Sequence, residues 1–65
     1  MNMNEAAKYV KDAQYNPDTP IPVMDATGII YNSNTHTYSV TDNGEEAETS
    51  SPTEAARFIV ENINA

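Results

Sequence analysis

No cysteine occurs among the 65 residues, and this limits the fold more than any other feature of the sequence. A chain of this length buries only about 60% of its unfolded surface. Without a disulfide or a Cys-rich zinc site, one small apolar core must hold the structure, alone or extended by self-association. The lone His36 offers little to other transition metals. The expected organisation is therefore a single small domain over 1-65, and cysteine-free chemistry suits a reducing compartment.

Charge is the next constraint. Ten acids face three bases, for a net charge of −7. Such a chain is repelled by nucleic acid and by anionic membranes, and its natural electrostatic partners are basic protein surfaces. The plain alternative is that the acid only keeps a small protein soluble. No run of about 18 apolar residues is present, so no membrane span is expected. The opening MNMNEAAKYVKD has neither an apolar signal core nor an Arg-rich transit pattern, and the expected address is the cytoplasm.

Helical spacing marks both ends of the chain. Asn4 can cap a helix over about Glu5–Gln14, with Met3, Ala6, Ala7, Val10 and Ala13 as a narrow apolar stripe. It stops near Tyr15-Asn16-Pro17, because the residue before proline resists the helical region. Asn16 to Pro22 carries three prolines and reads as a stiff, extended connector. At the other end Ser51-Pro52-Thr53-Glu54 is a capping box with proline at the first helical position. Ala55, Ala56, Ile59, Val60 and Ile63 follow as a wide apolar face, with Phe58 beside it.

The middle reads as β. Val23-Met24 is a short strand before the turn DATG, in which Asp25 and Gly28 suit a type I turn. GIIYN is a strand, NSNT a hairpin loop and HTYSVT a strand with clean alternation. DNG, Asp42 to Gly44, is a second tight turn, since Asn-Gly is a strong hairpin signal. EEAET follows, with Glu46 and Glu48 on one face and Glu45, Ala47 and Thr49 on the other. The predicted fold class is α+β: a three- or four-stranded antiparallel sheet flanked by an N-terminal and a C-terminal helix. The predicted core is Ile30, Tyr38 or Val40, Phe58, Ile59 and Ile63, with Tyr31 and Tyr38 partly buried.

Catalytic chemistry is thin. His36 and Ser39 are three apart on a predicted strand, hence on opposite faces, which excludes a local Ser-His pair. Asp42, Glu46 and Glu48 lack the Asp-x-Asp-x-Asp-Gly core of a calcium loop. The only glycines are Gly28 and Gly44, so no phosphate-cradling loop exists. Lys8, Lys11 and Arg57 are too scattered for a nucleic-acid surface. The expectation is no enzyme, no cofactor and no metal. The residues left for function are Asp42, Glu45, Glu46 and Glu48, extended by Asp18 and Asp25, as a partner-binding acidic surface.

The stretches MNMNEAAKYVKD, GIIYNSNTHTYSVTDN and ARFIVENI, with the acidic balance, resemble small phage-encoded anti-CRISPR proteins, most of all compact Cas9 inhibitors with an acidic hairpin sheet between helices. That resemblance implies an inhibitor acting as a DNA mimic on a basic nucleic-acid-binding surface of a bacterial defence protein. Arginines read the PAM in such effectors, so carboxylates could compete there. GIIYNSNTHTYSVTDNG through SSPTEAARFI is also similar to modules with three strands packed on a helix, such as integrase arm-binding domains. Those carry Arg and Lys on the sheet where this chain carries Asp and Glu, so direct DNA binding is not implied. The alternative is a structural or regulatory module that forms a homodimer through apolar sheet surface.

Overall fold

The computed structural model describes residues 1–24 and 26–64, the last three of them by backbone alone. The order of elements is α1 (Met3–Tyr15), β1 (Ile21–Met24), β2 (Thr27–Asn32), β3 (Thr37–Asp42), β4 (Glu45–Thr49) and α2 (Pro52–Asn64). The fold is α+β, helix-first and helix-last, around one antiparallel sheet of four strands in the order β1-β2-β3-β4. Strands adjacent in sequence are adjacent in the sheet, because each connection is short enough to be a hairpin. No helix among the described residues is long and apolar enough to cross a membrane.

Local chemistry accounts for the boundaries. The cap of α1 is Asn2, not Asn4: the Asn2 side chain accepts from the Glu5 amide at 2.9 Å, and Glu5 reaches back to the Asn2 amide. Only Asn2 stands three residues before Glu5, the spacing that a capping box requires. The helix ends at Asn16, whose amide and side chain both donate to the Asp12 carbonyl, at 3.1 and 2.9 Å. Ahead of α2, Ser51 Oγ accepts from the Glu54 amide at 3.2 Å, as expected. The second half of that box is replaced: the Ser51 amide donates to Thr49 Oγ1 at 3.1 Å, and Glu54 pairs with Arg57.

The turns follow the same logic. Asn43 and Gly44 both have positive φ, 51° and 85°, the signature of a type I′ turn, whose twist suits a two-residue hairpin. The β2–β3 turn occupies residues 33–36 and places His36 at a φ of 58°. Gly28, expected to close a turn, lies inside β2, and Met24 pairs directly with Thr27 across a bulge. Asp25 lies outside the described residues. β1 is longer than the sequence suggests and includes Pro22, which an edge strand tolerates because one side of it has no ladder to feed.

Both helices cover the same face of the sheet. α1 lies over β1 and β2, α2 lies mainly over β3 and β4, and the two pack on each other. Ala6, Val10 and Ala13 of α1 and Ala55, Ala56 and Ile59 of α2 meet Ile29, Tyr38 and Val40 from the sheet. The alanines let the helix pair sit close to the strands. Ile29, not Ile30, is the buried member of its pair: register sets Ile29 opposite Val40, and the period of two sends Ile30 to the other face. Phe58 is half-buried, packed against the core, and Ile63 lies outside the residues whose side chains are described.

Candidate protein-interaction surface

Covering one face of the sheet leaves the other free, and pairing fixes what stands on it. Gly28 pairs with Thr41, and Thr41 with Glu46. Ile30 pairs with Ser39, and Ser39 with Glu48. Pro22, across from Gly28, extends the first row. Each row therefore runs from apolar or small side chain, through hydroxyl, to carboxylate. The open face is graded: apolar over β1 and β2, hydroxyl-lined over β3, acidic over β4.

The floor of this face is low. A hollow of about 200 Å³ is lined by Pro20, Gly28, Ile29, Ile30, Ser39 and Thr41. A Cβ on Gly28 would stand 3.3 Å from the Ile21 carbonyl oxygen and begin to fill it. Ser39 is only 8% exposed, sheltered beneath its taller neighbours. Glu48 accepts from Thr37 Oγ1 at 3.2 Å, which steadies its carboxylate at the border between hydroxyls and acids. Glu46 and Glu48 are both exposed.

The six acids expected to form one patch are distributed differently. Glu46 and Glu48 share the open face. Asp42 and Glu45 are paired with each other across the hairpin and point to the helix-covered side. Asp42 is half-buried and accepts from Thr27 Oγ1 at 2.6 Å, so it secures the sheet end beside the type I′ turn. Asp18 stands elsewhere. Its carboxylate accepts from the Ser33 amide at 3.0 Å and from the Ser33 hydroxyl, and its own amide donates to the Tyr31 carbonyl at 2.8 Å. These bonds, the hydroxyl's first, hold its carboxyl below the ordinary value of 3.8. Asp18 is thus a staple between the connector and the β2–β3 turn. Asp25 lies outside the described residues.

The sequence reading missed the hydroxyl-bearing middle of the face, Thr37, Ser39 and Thr41. Their alternation with Tyr38 and Val40 was the available signal. His36 is exposed, with Nδ1 3.2 Å from the Tyr31 hydroxyl, and Tyr31 stacks obliquely on Tyr38 with ring centroids 4.8 Å apart. Tyr38 in turn is bonded to the Gln14 side chain, which ties α1 to the sheet. No group of three or more His, Asp or Glu among the described residues is gathered closely enough to hold a metal ion. Comparison with family models, with curated proteins and with solved structures finds no match.

Proposed function

We propose that this chain is a non-enzymatic binding protein whose open sheet face docks on a basic protein surface, with Glu46 and Glu48 facing Arg or Lys and Pro22, Gly28 and Ile30 packing beside them. The carrying observation is the pair of cross-strand rows that run from apolar to hydroxyl to carboxylate on a face the helices leave uncovered. Carboxylates on a paired strand are held on a stiff backbone, so little ordering is required when they meet a guanidinium. A bidentate Arg–carboxylate contact is worth about 1.5–3 kcal/mol when water is excluded, and far less at a wet rim. A surface that normally holds nucleic acid, such as the DNA channel of a CRISPR effector in a bacterial cytoplasm, has the matching charge. This is the phage-inhibitor reading that the sequence resemblance implies, centred on two of the six acids expected there, Glu46 and Glu48.

The test is inhibition of DNA cleavage by such effectors, alongside capture of partners from bacterial lysate. Two double variants are compared on whatever partner is found. Glu46→Gln with Glu48→Gln should weaken binding at least about tenfold and flatten its salt dependence. Asp42→Asn with Glu45→Gln, on the helix-covered side, should bind nearly as the parent does. Equal loss from both pairs would favour a diffuse charge effect, and no loss from either would remove the acid from the interface.

A second reading has its own observation. Met24 on the edge strand is 54% exposed, and Pro22 and Ile30 make an apolar strip on the open face. Homodimers bury such strips. A melting temperature that rises with protein concentration would favour that reading.

A further inference from the structure

The opposite side of the molecule carries a second surface, independent of the sheet face. Where α1 and α2 lie side by side, their outer surfaces enclose a groove of about 450 Å³ whose walls include Met3, Ala7, Val10 and Lys11 of α1 and Pro52 and Ala56 of α2. Among the described residues, no strand residue lines it. The α1 contribution recurs at helical spacing from Met3 to Gln14, a length of roughly 17 Å at about 1.5 Å per residue. Ala7 and Ala56 keep the floor low, and Met3, 41% exposed, forms one end. The geometry is that of a seat for a third helix laid along the first two.

Charge selects the occupant. Among the described residues the lining contains no carboxylate, in a chain that has ten Asp and Glu. All three bases flank it instead. Lys11 is part of the wall; Lys8 lies one turn from Asn4 and Lys11, which both line the groove; Arg57 lies one turn beyond Thr53, which also does. Each of the three is exposed. At about 100° per residue, the acids Glu5, Asp12, Glu54 and Glu61 fall farther round their helices, and Arg57 is held toward Glu54.

We infer that this groove receives an amphipathic helix from a partner protein, its apolar stripe set between α1 and α2 and its flanking carboxylates paired with Lys8 and Lys11, while Arg57 stays paired with Glu54. A second copy is a poor occupant, because two grooves meeting face to face would set like charges together. An anionic membrane is repelled by the net charge of −7.

Two synthetic helical peptides test this. Both carry Leu at i, i+3, i+4 and i+7; one has Glu along the flanks of that stripe and the other Lys. The Glu peptide should bind at least about tenfold more tightly at low salt, and should shift backbone NMR signals of Ala7, Lys11 and Ala56. The protein's overall charge alone would give the reverse order, which makes the order decisive. Lys8→Glu with Lys11→Glu, at exposed positions, should abolish the preference without changing the melt. Ala7→Leu should fill the groove and weaken both peptides; if it fails to fold, the charge pair carries the test. The proposal is overturned if neither peptide binds, if the Lys peptide binds equally or better, or if the shifts gather on the open sheet face. A dimer that Ala7→Leu dissociates, or attachment to phosphatidylserine vesicles that the Glu peptide does not displace, would also overturn it.

Discussion

Asp18 combines a conformational and an electrostatic role in one residue. Its φ of 62° is left-handed, a region that Asp and Asn visit more readily than other side chains with a Cβ. Its carboxylate ties Ser33 to the connector. Because these bonds favour the charged form, the folded-state pKa lies below that of the unfolded chain. The resulting stabilisation is complete above the unfolded value and is lost as pH falls through the folded one. Asp18→Asn keeps the backbone preference and removes the charge. The gap in denaturant midpoint between parent and variant should therefore be widest near neutrality and narrow once pH drops below about 3.8, the ordinary value. A carboxyl-carbon NMR titration should place the Asp18 midpoint under that value; a midpoint above it would break the argument. None of this was legible beforehand, because Asp18 and Ser33 meet only through the fold. The Ile29–Ile30 choice was closer to legible. Tyr31 shares the phase of Ile29, and an inward Tyr31 requires an inward Ile29.

At the scale of elements, the sequence carried most of the fold because its punctuation is local. Asn-Gly requires positive φ at both positions and received it. Ser-Pro-Thr-Glu started α2 where the box places it. What it missed was competition between partners: Thr49 occupies the Ser51 amide, which frees Glu54 to pair with Arg57. The consequence is asymmetric. Ser51→Ala removes the acceptor for the Glu54 amide and should cost about 1 kcal/mol in chemical denaturation. Glu54→Gln removes only an exposed ion pair and should cost a few tenths of that at most. Equal costs would mean that the capping box is complete in solution. Edge strands explain part of the acid as well. β1 is guarded by Pro22, and β4 by Glu45, Glu46 and Glu48, both of them recognised ways of preventing a sheet edge from recruiting another strand. Edge protection and partner docking thus use the same side chains.

The whole molecule is polarised in a way that composition hides. The three bases sit on the helices beside the groove, while four acids crowd the β3–β4 hairpin. Glu46 and Glu48 are two residues apart on one face, roughly 6.6 Å at about 3.3 Å per residue. That is inside the screening length of about 10 Å at 0.1 M salt and outside the length of about 3 Å at 1 M. Their mutual repulsion is therefore felt in dilute buffer and screened in concentrated salt. Neither side chain covers core, and the Thr37 bond to Glu48 survives replacement by an amide oxygen. Glu46→Gln with Glu48→Gln should thus melt at the parental temperature or above it in dilute buffer, and the two melts should converge near 1 M salt, a molarity at which exposed unit charges this far apart are largely screened. A variant that melts lower in dilute buffer would assign these acids to holding the sheet together. A variant that melts higher while its partner binding falls would mark a surface kept at some cost to stability, as expected of carboxylates retained for recognition rather than for the fold.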